Sequence, residues 1–396
     1  MPTLAVIVPE LLPVPAVKGG AVEHWVEEAI HRLDHKKYEI TVFSRPSGLE
    51  SVNANIRFQG IPWTVMESLF LKWKNGMSWK NPLRYLAKFQ NVLSYGNRVA
   101  ASIKNFDIVY VHNEPNLFLL MQKKAGQYFV LHMHNDHLSS RLFRPFYRKM
   151  LAKVDEVICV SEYIKRRAIL AFPEFKHKFS VILNATDPEF FQPAAQLEVN
   201  AQPMPYIKPG AKHILYVGRL TEVKGVEVLI KAFGHLYKQD PSLQLIIAGT
   251  SFFADAEKTP YVQHLADLAA PYKDGIQFTG FLPHDQLKYL YAATDVLAFP
   301  SIWNEPFGLV ILESMAAGTC VVASDVGAVA EIIKHQENGL LVEVNNHIAL
   351  ANAIQEVLGN TEKREAMNKR AREIVLEKFN WGRLIAELDM ILGKAA

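Results

Sequence analysis

Two stretches of the chain set charged side chains among glycines at spacings suited to a diphosphate and to hydroxyl groups. Gly218-Arg219-Leu220-Thr221-Glu222-Val223-Lys224-Gly225 lies between the apolar run HILYV and the helical pattern VEVLIKAF. Arginine presents a planar fork of donors and lysine a mobile point charge, a pair suited to clamping a pyrophosphate. The second stretch, Glu305-Pro306-Phe307-Gly308-Leu309-Val310-Ile311-Leu312-Glu313, follows DVLAFPS and runs into another helical pattern. Gly308 permits close backbone approach at the helix start, where unpaired N–H groups and the helix dipole favour an anionic or hydroxyl-rich ligand. Glu305 stands just before that helix and Glu313 about one and a half turns inside it. As hydrogen-bond acceptors the two carboxylates would meet polyol hydroxyls from two levels. Taken alone, the same pair also fits an acid near a helix start and a solvated helix face.

A third group is the run VLHMHND. His132 and His134 are two apart on a predicted strand and therefore share a face. With Asp136, His137 or His112 nearby they form a possible metal site, although the spacing leaves the ligand set ambiguous. The motifs G-x-G-x-x-G, G-x₄-G-K-[ST], H-E-x-x-H and G-x-S-x-G are absent, and so is D-x-D. These absences disfavour dinucleotide, P-loop, zinc-protease and serine-hydrolase chemistry.

The elements that must carry these groups follow from periodicity. Short β-rich runs alternate with helical stretches throughout, the pattern of βαβ units. The first half predicts strands at Leu4–Val8, Glu39–Phe43, Ile108–His112, Phe129–Met133 and Glu156–Val160. The second half predicts strands at His213–Val217, Leu243–Ala248, Ile276–Phe278, Val296–Phe299 and Cys320–Ala323, with helices that include Val226–Lys238, Asp285–Ala292 and Leu309–Ala317. The expected fold class is therefore α/β, with two doubly wound parallel sheets. The segment FQPAAQLEVNAQPMPYIKPGAK holds Pro193, Pro203, Pro205 and Pro209 with little periodicity and reads as a linker. The expected division is a first domain over 1–190, a linker over 191–210, a second domain over 211–380 and a closing helix over 381–396 that packs back on the first domain. Two such sheets in tandem make an interdomain crevice the expected ligand site.

Composition narrows the class. The chain of 396 residues has 49% hydrophobic and 21% charged residues, which excludes disordered, collagenous and coiled-coil proteins and suits two domains. Cys159 and Cys320 each lie in an apolar strand-like run without C-x-x-C spacing, which disfavours a disulfide framework and suits a reducing cytoplasm. The N-terminal apolar run is broken by Pro9, Pro13 and Pro15, reads as strand then loop, and is not expected to be a signal peptide. No run reaches the roughly 18 apolar residues of a membrane span.

Charge is unevenly shared. Residues 1–195 carry 25 Lys and Arg against 17 Asp and Glu, whereas 196–396 carry 18 against 23. Leu69–Asn105 holds basic residues (Lys72, Lys74, Lys80, Arg84, Lys88, Arg98, Lys104), no acidic ones, and interleaved aromatics. It reads either as a solvated helical face with aromatics packed inside, or as a contact for an anionic membrane or lipid-linked glycan, aided by Arg141, Arg144, Arg148, Lys149 and Lys153. Nucleic acid is not expected, because no recognised module accompanies the charge.

Together, G-R-L-x₃-K-G and E-P-F-G-x₄-E resemble the retaining family-four glycosyltransferases (glycosyltransferase group 1 type) with the GT-B fold, two Rossmann-like domains facing across a cleft. Other stations agree in order: Gly19-Gly20 with Glu23, DIVYVH, VLHMHND, Val160-Ser161-Glu162, and VILNATDPEFF. The resemblance implies that Arg219 and Lys224, beside Gly218, bind the pyrophosphate and that Glu305 lies near the donor sugar. It further implies that Glu313 accepts from the ribose hydroxyls and that the backbone N–H groups of Phe307, Gly308 and Leu309 meet the sugar. Gly19 and Gly20 match a loop approaching the diphosphate, and His134 matches a histidine near the reacting sugar. The expected activity is metal-independent, retaining transfer of a hexosyl or N-acetylhexosaminyl unit from a nucleotide sugar to a glycan, lipid-linked or small-molecule acceptor in polysaccharide or cell-envelope biosynthesis. No cofactor is expected beyond that co-substrate, and the expected location is the cytoplasm or the inner face of its membrane. A sugar-nucleotide epimerase, a phosphorylase, or a non-catalytic glycan-binding or structural protein on the same fold are the alternatives.

Overall fold

The computed structural model describes residues 1–17, 20–48, 56–75, 83–139, 143–197, 205–251 and 259–395, with only the backbone for 72–75 and 83–92. The chain divides into two compact units, Met1–Ile182 with Ile385–Ala396, and Leu183–Leu384.

The first unit is built on a seven-stranded parallel sheet of order β3-β2-β1-β4-β5-β6-β7. Its strands are β1 (Thr3–Ile7), β2 (Glu39–Ser44), β3 (Ile56–Gly60), β4 (Ile108–His112), β5 (Tyr128–Met133), β6 (Glu156–Cys159) and β7 (Phe179–Val181). β1, β4 and β5 are almost wholly apolar and buried, as strands covered on both faces must be. The strand order reverses between β1 and β4, which pair in parallel from Leu4↔Ile108 to Ile7↔Val111. The residues after these two strands therefore lie at the switch point where doubly wound sheets take their ligands. Just past β2, Arg45 is buried on Glu67, with N–O 3.2 Å, and Arg98 reaches the same carboxylate at 2.7 Å. The end of the chain is tied into this unit: Asp389 accepts from Lys37 Nζ at 2.5 Å and from Tyr38 Oη at 2.8 Å.

The second unit has a six-stranded parallel sheet of order β10-β9-β8-β11-β12-β13. Its strands are β8 (His213–Val217), β9 (Gln244–Ala248), β10 (Ile276–Gly280), β11 (Val296–Phe299), β12 (Cys320–Ser324) and β13 (Leu340–Val342). The order again reverses at one point, between β8 and β11. The helix Val226–Tyr237 buries Leu229, Phe233 and Leu236 in one cluster with Ile214, Leu245 and Ile247 of the sheet and Ile354 and Val357 of the helix His347–Gly359. Burial of each such side chain stabilises the unit by about 1.5–3 kcal/mol.

The α/β reading and the two doubly wound sheets hold. Sequence periodicity did not find β3, β7 and β13. β3 is short and mostly exposed, and β7 and β13 have only three residues each, too few for an alternation to show. Cys159 ends β6 and Cys320 begins β12, and both are buried free thiols. Among the described residues no helix is long and apolar enough to cross a membrane. Most of the basic stretch Leu69–Asn105 lies outside the residues whose side chains are described.

Candidate active site

In the second unit the two motif segments leave the carboxyl ends of the neighbouring strands β8 and β11, so topology alone brings residues some eighty positions apart together. The loops then bond directly: Ile302 N–H donates to Val223 O at 3.0 Å. Gly225 begins the helix Val226–Tyr237 with φ +69°, and a Cβ there would lie 1.9 Å from Pro300 O. No side chain fits at that position, either in conformation or in space.

Lys224 and Glu305 meet across this junction. Lys224 Nζ donates to Glu305 Oε1 at 2.6 Å, and Ser301 Oγ donates to the same oxygen at 2.6 Å. Glu305 is buried, and these two donors satisfy the oxygen it turns to the junction. A third loop, after β12, closes on the Glu305 backbone. Ala328 N–H donates to Glu305 O at 2.8 Å, and Gly327, at φ +58°, passes so close that a Cβ would lie 2.2 Å from that same oxygen. Arg219 is exposed beside this group, with Tyr216 Oη donating to its carbonyl at 2.8 Å.

The helix Leu309–Ala316 starts at Gly308. The backbone there has φ −145°, which any residue adopts, so the glycine matters for room: an added Cβ would lie 2.7 Å from Ile311 Cδ1. Among the described residues the N–H groups of Phe307, Gly308 and Leu309 have no acceptor, as expected of the first turn of a helix. Glu313 is buried and accepts from Tyr291 Oη at 2.7 Å. The solvated-face reading of Glu313 is therefore set aside, because Tyr291 on the helix His284–Ala292 covers it. Burial and the adjacent carboxylate hold the Tyr291 hydroxyl well above its ordinary range, so it stays a donor.

Sequence reasoning missed Ser301, Gly327 and Tyr291. Ser301 and Gly327 carry a weak local signal, a small residue just past a predicted strand. Tyr291 carries none, because it reads as one more apolar position of its helix.

In the first unit Gly20, at φ +108°, precedes the helix Ala21–Arg32, and Gly19 lies outside the described residues. Glu23 folds back over this turn, since a Cβ on Gly20 would lie 2.2 Å from its Oε2. Its carboxyl is pushed up to about 7, chiefly by burial and further by the charge of Glu10. Among the described residues neither carboxylate oxygen of Glu10 has a partner, and the side chain is buried.

The histidines sort themselves. His112 on β4 pairs in register with His132 on β5, and His134 follows two residues on. His132 and His134 stack with ring centroids 4.3 Å apart, and His112 Nδ1 lies 3.1 Å from His134 Nε2. One nitrogen from each ring falls within 4.8 Å of the others. Asp136 turns away to pair with Arg167. Burial holds His112 and His132 well below the ordinary imidazole range, with neighbouring imidazoles adding to it. His134 is lowered to about 3, by burial first and then by His137. All three rings are neutral at physiological pH.

Comparisons with known proteins agree with this geometry. Residues 19–190 match the model described as Glycosyltransferase Family 4, and residues 203–374 the model described as Glycosyl transferases group 1. The Bacillus subtilis protein YtcC, which carries a glycosyltransferase name, is 30% identical over 98% of this chain and 91% of its own. Spore coat protein SA of the same organism is 28% identical over 99% of both chains. The crystal structure of Anabaena HepE in complex with UDP superposes with a TM-score of 0.74 at 20% identity, covering 100% of both chains. The fold is thus GT-B, with two Rossmann-like units. The chain belongs to the group 1 glycosyltransferases.

Proposed function

We propose that this glycosyltransferase moves a hexosyl or N-acetylhexosaminyl unit from a nucleoside-diphosphate donor to a hydroxyl of a glycan, lipid-linked or small-molecule acceptor, with retained configuration and without a metal on the diphosphate. The observation that carries the reading is the Lys224–Glu305 pair at the switch point of the second sheet, beside exposed Arg219 and the open N–H groups of the helix Leu309–Ala316. UDP bound to HepE, a protein of the same fold, supports a nucleotide donor.

In this reading Arg219 and Lys224 hold the diphosphate. As the bond from the anomeric carbon to the β-phosphate oxygen breaks, negative charge grows on that phosphate, and fixed cations stabilise it where it develops. Lys224 then divides its charge between phosphate and Glu305, which frees Glu305 to accept from a sugar hydroxyl. Glu313, held by Tyr291, accepts from the ribose, and the N–H groups of Phe307, Gly308 and Leu309 meet the sugar. His134, neutral under burial, is assigned to the sugar as the resemblance implies. The new bond forms from the acceptor oxygen to the anomeric carbon on the face the phosphate leaves, and the acceptor proton passes to the departing phosphate oxygen. Gly20 belongs with the diphosphate in this scheme. The basic stretch Leu69–Asn105 is assigned to an anionic membrane surface or lipid-linked acceptor at the cytoplasmic face.

Incubation with a panel of nucleotide sugars, followed by NMR of the product's anomeric proton, tests the reading. Transfer with the donor's configuration supports it, and an inverted product rejects it. Hydrolysis or epimerisation of donor alone, with no transfer to any acceptor, would favour a different reaction on the same fold.

A further inference from the structure

The three histidines at the carboxyl edge of the first sheet make a cluster of which the transfer scheme uses His134 alone. His112 and His132 are fully buried cross-strand partners on β4 and β5, and His134 lies over them. Buried polar atoms nearly always find partners, yet among the described residues Nε2 of His112 and Nε2 of His132 have none. His132 lies with Nδ1 2.6 Å from Tyr110 Oη, so Nε2 is the nitrogen it has left to offer. Trp25 closes one side, with its ring centroid 4.7 to 5.4 Å from all three imidazoles.

We propose that His112, His132 and His134 form a binding site for one borderline divalent cation of the zinc, cobalt or nickel type. Three imidazoles from two adjacent strands are an all-nitrogen donor set, which selects such ions over magnesium and calcium, whose sites are built from oxygen. At Zn–N distances of about 2.0–2.1 Å, tetrahedral ligands stand about 3.3 Å apart. His112 Nδ1 and His134 Nε2 are 3.1 Å apart, and one nitrogen from each of the three residues falls within 4.8 Å of the others. Tyr110 supplies an outer partner, accepting from Nδ1–H of His132 and fixing the tautomer whose Nε2 binds the ion. The fourth coordination position is left for water. The site belongs to the first unit, whereas the cations proposed for the diphosphate belong to the second. His134 is common to this proposal and to the transferase reading, and a metal-binding readout without turnover tells the two apart.

The test is a titration of the full chain, stripped by chelator, with Co(II) followed by visible absorption. The expected result is saturation at one equivalent with the intense ligand-field bands of a four- or five-coordinate nitrogen site, displaced by Zn(II) and not by Mg(II). The His132→Asn and His134→Gln variants should lose these bands. His134 is only half-buried, so the second substitution is the less disruptive to folding. Tyr110→Phe, which keeps all three ligands, should weaken affinity by about 10–100-fold. The chain has 14 histidines in all, so Co(II) binding unchanged in the His132 and His134 variants would place the ion elsewhere and overturn the proposal. Absence of saturable binding to the wild-type chain would overturn it as well. The readout needs no donor, acceptor or turnover, so an inactive preparation cannot be mistaken for a failed site.

Discussion

Glu23 is the side chain whose charge state this structure ties most directly to stability. Its carboxyl is buried against the turn at Gly20, close to the charge of Glu10, and titrates near 7 in place of 4.5. Below its unfolded value the carboxyl is protonated in the folded and unfolded chain alike, and there is no penalty. Between 4.5 and about 7 the unfolded chain ionises while the folded one stays neutral, so the unfolded state binds fewer protons and stability falls as pH rises. At about 1.4 kcal/mol for each tenfold change in proton affinity, the loss comes to about 3 kcal/mol above neutrality. Glu23→Gln cannot ionise and keeps the size of the side chain. Urea denaturation of both chains, followed by tryptophan fluorescence, isolates the effect, because all other titrating groups are shared. The variant should match the wild type at the acid end and exceed it by about 3 kcal/mol at about pH 8. Glu10→Gln should make the wild-type loss of stability with rising pH smaller, by lowering the Glu23 value toward 4.5. A difference between wild type and Glu23→Gln that does not vary with pH would refute the reasoning.

Other substitutions probe the second unit and the first. Gly225→Ala forces a Cβ against Pro300 O in a left-handed backbone conformation, and should cost more than about 1–2 kcal/mol in thermal unfolding together with a loss of nucleotide binding. Unchanged melting and binding would show that the loop junction is not held as described. Tyr291→Phe removes the donor to buried Glu313 while keeping the ring, and should lower stability in urea by about 1.5–3 kcal/mol; an unaltered midpoint would mean that Glu313 does not rely on it. Arg45→Met leaves buried Glu67 with Arg98 and the Thr64 N–H as donors, and should cost about 1.5–3 kcal/mol in the same assay. A neutral or stabilising outcome would show that the pair is replaceable by packing.

Much of this was legible before any coordinates. The strands carrying both motifs, β8 and β11, were read with their observed limits, because apolar runs covered on both faces stand out against polar turns. The helix Trp381–Leu392 was legible for the same reason, through its apolar spacing. Glu313 was read as a candidate, but its burial was not, since that depends on the helix bearing Tyr291 lying across it. Ser301 and Gly327 matter because the loops after β11 and β12 close around Glu305, and no local pattern encodes which loops will touch. The histidine run shows the same limit. Spacing put His132 and His134 on one face but left Asp136, His137 and His112 as equal third members. The pairing of β4 with β5 selected His112, while Arg167 took Asp136.

The central claim concerns fixed cations and a diphosphate, and Arg219 offers the cleanest access to it because its side chain is exposed. Calorimetric titration of wild type and Arg219→Ala should use the nucleoside diphosphate that binds best among the common bases, alongside the matching monophosphate. Loss of a charged hydrogen-bond donor to the β-phosphate should weaken diphosphate binding by about 10–100-fold and leave monophosphate binding nearly unchanged. Equal diphosphate affinity in the two proteins would contradict the account.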